Sequence, residues 1–139
     1  MSQENVALVQ RALDLVSEGD ITGLRNMIGP GFELRENVLA PDAAVYHGEE
    51  GLKKWLAVSL EAFSDFRFEP ERFIERGDWV FARVHAYGRG RGSGAPFEAR
   101  YVTALKFRSG KAVFAASYED LDEAFKALGL SEQDAHADT

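Results

Sequence analysis

A carboxylate stands at the end of a short alternating stretch in the first third of the chain. In residues 32–36, Phe-Glu-Leu-Arg-Glu, apolar and charged residues alternate, which is typical of a half-buried strand, and Glu36 is the last of them. A carboxylate in partly apolar surroundings can exchange protons with a bound molecule near neutral pH. The sequence therefore predicts Glu36 as a candidate for proton transfer, and the alternative is a solvated acid at a strand end.

Histidine is the other side chain that exchanges protons near neutral pH, and the chain has three: His47, His85 and His136. Their positions fit neither the HxH nor the HExxH spacing, and the chain has no cysteine, so we predict no metal site. His85 lies in a strongly alternating run. It is either an acid–base group in a pocket or a histidine on the surface of a strand.

A glycine-rich segment, GRGRGSG at residues 88–94, resembles a phosphate-binding loop in composition. It does not fit G-x-G-x-x-G, it lacks the GK[ST] ending, and it joins two predicted strands, so no helix N-terminus is available for a phosphate. The segment therefore predicts a flexible hairpin.

The composition limits the function classes. The 139 residues are 45% hydrophobic and 28% charged, which is typical of one globular domain, and the net charge is −7. An acidic chain is a poor ligand for nucleic acid or for an anionic membrane, so we expect neither as a partner. There is no signal peptide and no long apolar segment, and the lack of cysteine fits a reducing compartment, so we predict a cytoplasmic protein.

Apolar residues at three- and four-residue steps predict helices over residues 3–18 and 49–63. Gly19 can end the first helix in a left-handed conformation, and Asp20 can cap a short second helix. A last short helix is predicted before Gly129.

Alternation of period two predicts the strands, with Pro70 confining its stretch to a sheet edge or a bulge. The predicted strands cover residues 32–36, 66–74, 79–87, 97–107 and 112–118. Helices that precede a run of strands indicate an α+β fold, with the helices on one face of a curved, mostly antiparallel sheet. We expect one domain over residues 1–130 and a polar tail over residues 131–139.

Three local motifs carry a resemblance to a known superfamily: VSEGD at 16–20, YHGEEGL at 46–52 and FRSGK at 107–111. In these motifs and in the order of its elements, the chain resembles the nuclear-transport-factor-2-like (NTF2-like) superfamily and, within it, the SnoaL-like group. The resemblance implies a cone-shaped α+β barrel around an apolar-walled cavity. That superfamily includes ketosteroid isomerase, polyketide cyclases, limonene epoxide hydrolase and non-catalytic binders, so the fold alone implies no single activity.

The resemblance to ketosteroid isomerase implies a role for Glu36, which lies where such sequences place their general-base carboxylate. The two positions of that isomerase's oxyanion donors hold Ala12 and Thr103. Ala12 cannot donate a hydrogen bond, and Thr103 donates only as a neutral hydroxyl. We therefore do not expect steroid isomerisation in that enzyme's own form.

The resemblance to the epoxide hydrolase places His85 and Ser117 at the positions of its two acids, so the charged triad of that mechanism is missing. Both comparisons imply that Arg83, His85 and Tyr87 face the cavity. The same face would then carry the residues two apart on the next strands, which are Ala99, Tyr101, Thr103, Ala115, Ser117 and Glu119.

Periodicity alone favours the opposite orientation, with the apolar residues of this strand facing inward and Arg83 and His85 outside. In the orientation that the resemblance implies, Val80, Ala82, Val84 and Ala86 cover the other face of the sheet. An outward apolar face needs a second subunit to cover it, so we predict a homodimer through the sheet face. Trp55 is expected to roof the cavity, unless it only packs in the core.

We expect a small apolar or carbonyl-containing ligand and no cofactor. In the first hypothesis the protein is an isomerase or cyclase in which Glu36 or His85 removes a proton α to a carbonyl, and Arg83, Tyr101 or Thr103 stabilises the enolate oxygen. The predicted ligand-binding residues are Trp55, Tyr87, Tyr101, Thr103, Ser117 and Glu119. The alternatives are a non-catalytic binder of a lipophilic metabolite and a dimeric interaction module with a residual cavity.

Overall fold

Two helices come first, two strands and a third helix follow, and four consecutive strands lead to a short last helix. The computed structural model describes residues 2–36 and 44–130. The helices are α1 (Ser2–Glu18), α2 (Ile21–Arg25), α3 (Gly48–Ala62) and α4 (Leu121–Leu128). The strands are β1 (Ile28–Glu36), β2 (Ala44–His47), β3 (Phe63–Arg76), β4 (Trp79–Gly90), β5 (Pro96–Arg108) and β6 (Lys111–Tyr118).

The strands form one six-stranded sheet in the order β2-β1-β6-β5-β4-β3. The pair β1–β6 is parallel, and the other four neighbouring pairs are antiparallel. Hairpins connect β3 to β6 in sequence, whereas β1 reaches the sheet from the helical N-terminal part. The α+β class and the mostly antiparallel sheet predicted from the sequence are confirmed.

Each face of the sheet is covered by different helices. The residues Val80, Ala82, Val84 and Ala86 of β4 are all buried, at 0–1% exposure, in the cluster that also holds Val9 of α1 and Leu52 and Leu56 of α3. On the opposite face, Phe81 packs edge-on against Phe125 of α4, with ring centroids 5.0 Å apart. The face under α1 and α3 is called the inner face below, and the face under α4 the outer face.

Local signals in the sequence position several element ends correctly. Gly19 has φ +70° after α1, and Gly129 has φ +73° after α4, so both helices end in the left-handed conformation that glycine adopts without strain. The carboxylate of Asp20 accepts a hydrogen bond of 2.9 Å from the Gly23 backbone N–H and caps α2. Pro70 lies on the edge strand β3, next to a register shift.

Two boundaries differ from the sequence-based prediction. The strand β1 begins at Ile28, within the predicted second helix, and runs through Gly29, Pro30 and Gly31 with a register shift against β6. This irregular start is possible because Gly31 adopts φ +76°, which an L side chain would strain. The strand β2 occupies residues for which the sequence predicts no strand. Residues 37–43 and the predicted tail 131–139 lie outside the described residues.

Candidate functional site

A cavity lies between α1, α3 and the inner face of the sheet. Its volume is about 100 Å³, and its walls are mostly aliphatic and aromatic. Short side chains, Ala12 of α1 and Ala112 and Ala115 of β6, leave this space open because the neighbouring large residues cannot reach across it. The larger apolar wall residues are Val9, Leu13, Val16, Leu24, Phe32, Leu34, Leu52, Phe68, Leu105 and Phe107.

Glu36 is the one carboxylate among the described residues that line this cavity. The alternation of β1 points Phe32, Leu34 and Glu36 to the same side, so the strand that builds the wall also delivers the acid. Only 8% of Glu36 is exposed. The indole Nε1 of Trp55, on α3, donates a hydrogen bond of 3.2 Å to its Oε2 atom and holds the carboxylate at the cavity.

Tyr101 of β5 brings a second titratable group to the same cavity and is 6% exposed. Burial raises the pKa of its hydroxyl far above the ordinary value, and the negative charge of Glu36 raises it further. The hydroxyl therefore stays protonated at neutral pH and can donate a hydrogen bond.

Besides Arg35 of β1, two aliphatic hydroxyls belong to the polar part of the lining. Thr103 and Ser117 are paired across β5 and β6 and both line the cavity. Thr103 Oγ1 lies 3.4 Å from the backbone oxygen of Ala116, to which it donates. The arrangement is thus a small apolar chamber with one carboxylate, one protonated phenol and two hydroxyls.

A second space, called the cleft below, has a volume of about 260 Å³ and adjoins this chamber. Glu36, Trp55 and Phe68 line both spaces, so the hydrogen bond between Trp55 and Glu36 lies where the cleft and the chamber meet. Tyr46 of β2 and Tyr87 of β4 border only the cleft. Tyr46 belongs to the YHGEEGL motif, but its place at the cleft depends on β2, which the sequence does not predict as a strand.

The interpretation that Arg83, His85 and Tyr87 face the cavity is wrong, and the orientation favoured by periodicity holds. Arg83 is exposed, and the imidazole Nε2 of His85 lies 2.7 Å from Glu98 Oε2 on the outer face. The hydroxyl of Tyr87 donates to Glu69 on the neighbouring edge strand.

The reason is the register of β4 and β5. Val84 is paired with Tyr101 and Ala82 with Thr103, so Tyr101 and Thr103 share a face with the small apolar residues of β4 and not with Arg83. The predicted homodimer depends on an outward-facing Val84, and Val84 is fully buried on the inner face. Homodimer formation stays a prediction without that basis.

The predicted site residues thus separate into two groups. Glu36, Trp55, Tyr101, Thr103 and Ser117 come together around the cavity. Arg83 and His85 lie on the outer face, Tyr87 borders the cleft only, and Glu119 is exposed beyond the end of β6, where its backbone N–H donates to the carboxylate of Glu123.

Within residues 2–36 and 44–130, no three histidine or acidic side chains lie together as they would around a metal ion. In the same part of the chain, no helix has the length and apolar character needed to cross a membrane.

Comparison with solved structures shows that this fold recurs in other proteins. A ketosteroid isomerase-like protein from Catenulispora acidiphila, in complex with trimethylamine, superposes with a TM-score of 0.73 at 17% identity, covering 89% of this chain and 93% of that one. A protein from Jannaschia sp. CCS1 that is proposed to be a SnoaL-like polyketide cyclase gives 0.73 at 22%, covering 93% and 94%. TerC, co-crystallised with polyporic acid, gives 0.72 at 23%, covering 90% and 97%.

These likenesses establish the fold. Among curated proteins, no sequence matches the chain significantly. The sequence model of the SnoaL-like domain matches residues 9–115, which run from the middle of α1 to the middle of β6. The chain therefore belongs to the SnoaL-like domain family.

Proposed function

We propose that this protein binds a small, mostly apolar carbonyl compound in the cavity and transfers a proton at the carbon next to the carbonyl. One observation carries the proposal: a buried carboxylate, Glu36, and a buried, protonated phenol, Tyr101, line the same mostly apolar chamber. An acceptor and a donor of this kind suit the two ends of an enolisation.

In the proposed step, Glu36 accepts the proton from the carbon α to the carbonyl. The electrons of the broken C–H bond form the C=C bond of an enolate, and the negative charge moves to the carbonyl oxygen, to which Tyr101 donates a hydrogen bond. In a substrate with a neighbouring C=C bond, the protonated Glu36 then delivers the proton to the far end of the extended enolate, which moves the double bond and completes an isomerisation. In a substrate with a second carbonyl, the enolate carbon instead attacks that carbonyl and closes a ring, and the proton on Glu36 passes to the alkoxide oxygen that forms. Neither course consumes an oxidant or a cofactor.

Trp55 has a positioning role in this scheme. Its N–H holds one carboxylate oxygen of Glu36, and its ring borders both the chamber and the cleft. A substrate whose reacting carbonyl enters the small chamber can therefore leave the rest of its apolar frame in the cleft. The complexes of related folds with trimethylamine and with polyporic acid support a small-molecule site in this fold.

The experiment is hydrogen exchange at carbon. The protein is incubated in D₂O with small ketones (cyclopentanone, cyclohexanone and acetophenone), and loss of the α-proton signal is followed by NMR. We expect exchange above the rate in buffer alone, its loss in Glu36→Gln, and a reduction by about 10²–10³ in Tyr101→Phe, the usual effect of removing one oxyanion donor.

The matched controls are Arg83→Gln and His85→Gln. Both residues lie on the outer face, so we expect these variants to exchange at the wild-type rate. Exchange that persists in Glu36→Gln but disappears in His85→Gln would refute the assignment of the base.

A second function, non-catalytic binding of a lipophilic molecule, has one observation in its favour. Ala12 lines the cavity at a position where the isomerase-like arrangement would need a donor, and an alanine offers none. Saturable shifts of ketone signals in wild-type protein, with no α-exchange for any ketone tested, would select this function over catalysis.

A further inference from the structure

A second concave surface lies on the opposite side of the sheet from the cavity. This basic groove is an open depression of about 690 Å³ whose wall contains three cationic side chains, Arg35, Lys106 and Arg108, and three aromatic ones, Trp79, Phe114 and Tyr118. The end of α4 and the start of β1 form its rim. No carboxylate is among the described residues that line it.

The groove concentrates positive charge on an acidic protein. The chain carries 16 lysines and arginines against 23 aspartates and glutamates, yet the groove gathers three cations. Arg35 is paired with Glu33 of the same strand. Lys106 and Arg108 form no ion pair and no side-chain hydrogen bond with any other described residue, so they remain available to an anion. Burial raises the pKa of the Tyr118 hydroxyl at the wall; the charge of Arg35 lowers it, and that of Glu123 of α4 raises it.

The aromatic side chains give the groove a flat, rigid wall. Trp79 stacks on Phe81 at 6.1 Å with 19° between the rings, and it meets Phe114 edge-on at 5.6 Å. Lys106 Nζ lies 5.7 Å from the centre of the Trp79 ring, and Arg35 Cζ lies 5.7 Å from that of Phe114. Cations held over aromatic rings are already oriented, so little side-chain entropy is lost when a ligand arrives.

We infer that this groove binds a small aromatic anion, of which an aromatic carboxylate is the simplest form. The ring of the ligand lies against Trp79 and Phe114, and its negative group lies between Lys106 and Arg108. Only Arg35, among the described residues, borders both spaces. On β5 the two sites are separate, because alternate residues serve the two faces: Leu105 and Phe107 line the cavity, whereas Lys106 and Arg108 line the groove.

The two tryptophans make a test possible, since each belongs to a different site. Trp55 lines the cavity and Trp79 lines the groove, so the two indole N–H signals of the ¹⁵N-labelled protein report on them separately; Trp55→Phe and Trp79→Phe assign the signals. On titration with 2-naphthoate, we expect the Trp79 signal to shift and saturate. The same ring without charge, 2-naphthalenemethanol, should bind the groove more weakly.

Charge variants measure the role of the cations. An exposed charge–charge contact contributes about 0.2–1 kcal/mol, so Lys106→Gln and Arg108→Gln should each weaken 2-naphthoate binding by about 1.5- to 5-fold. Higher salt should weaken binding in the wild-type protein by screening. Lys53→Gln, which removes an exposed cation of α3 outside the groove, is the matched control and should leave the affinity unchanged.

Three results would overturn the inference. In the first, 2-naphthoate shifts only the Trp55 signal, which places the ligand in the cavity. In the second, the neutral alcohol binds the groove as tightly as the anion, which removes the role of charge. In the third, the Trp79 signal shifts with protein concentration and without ligand, which makes the groove an interface between two copies of the chain.

Discussion

Two adjacent residues of β4 offer a direct test of the strand orientation on which the site depends. Val84 is fully buried on the inner face, and Arg83 is exposed on the outer face. We predict that Val84→Ala lowers the free energy of unfolding substantially, whereas Arg83→Ala hardly changes it. If the sheet faced the other way, the order of the two effects would be reversed.

The magnitude follows from the burial of Val84. Val84→Ala removes two carbon groups from a fully buried side chain, at about 0.8 kcal/mol each, which gives about 1.6 kcal/mol. A space that the neighbours do not fill adds a further cost, so we expect about 1.5–2.5 kcal/mol in total. Arg83→Ala is a surface substitution, for which about 0.5 kcal/mol or less is usual.

Urea unfolding followed by circular dichroism measures both variants. With a slope of about 2 kcal/mol per molar urea, Val84→Ala should lower the midpoint by about 1 M, and Arg83→Ala by less than about 0.3 M. A larger loss for Arg83→Ala than for Val84→Ala would refute the orientation. It would also remove Tyr101 from the cavity, because Tyr101 is paired with Val84 and shares its face.

Three further predictions rest on single contacts. Because the pKa of Tyr101 is raised in the folded protein, the unfolded chain loses this proton first, so the stability that the residue contributes is complete below about pH 10 and is lost above it at up to about 1.4 kcal/mol per pH unit. Between pH 9 and pH 11, urea unfolding should therefore show a smaller loss of stability in Tyr101→Phe than in the wild-type protein. Equal losses in the two proteins would contradict this. Trp55→Phe removes the hydrogen bond to Glu36, and we expect a loss of about 1–3 kcal/mol in the same assay, so a neutral effect would mean that the bond does not form. A Cβ on Gly88 would lie 2.8 Å from the backbone of the edge strand β3, so Gly88→Ala should lower the free energy of unfolding by about 1–3 kcal/mol. A Cβ on Gly92 would meet no atom within 4 Å, so Gly92→Ala is the control and should be neutral. Similar urea midpoints for the two variants would show that β3 and β4 approach less closely at Gly88.

The sequence predicts the fold because its signals are local. Alternation along β4 and the three- and four-residue steps of α1 and α3 need no knowledge of distant residues. The boundaries fail where a local signal has two meanings. Ile28 continues the apolar pattern of α2, but its backbone pairs with Ala112 of β6, more than 80 positions away, and no local pattern contains that pairing.

The site is only partly predictable because it depends on register. Glu36 shares its face with Phe32 and Leu34, so its position at the cavity follows from one strand. Whether Tyr101 faces the same way as Arg83 or as Val84 depends on the pairing of β4 with β5, and a shift of one residue exchanges the two. The interpretation drawn from the resemblance placed Arg83 and Tyr101 on one face, which the observed register does not permit.

The same register links the two proposed sites and determines how their tests bear on each other. On β5, Tyr101 and Thr103 face the chamber while Lys106 faces the groove, so a reversed orientation would remove from both sites the polar groups that β5 supplies. A failure of α-exchange, in contrast, would remove only the proposed chemistry of Glu36 and would leave binding in the groove untouched. The comparison of Val84→Ala with Arg83→Ala therefore comes first, because it tests the premise that both proposals share.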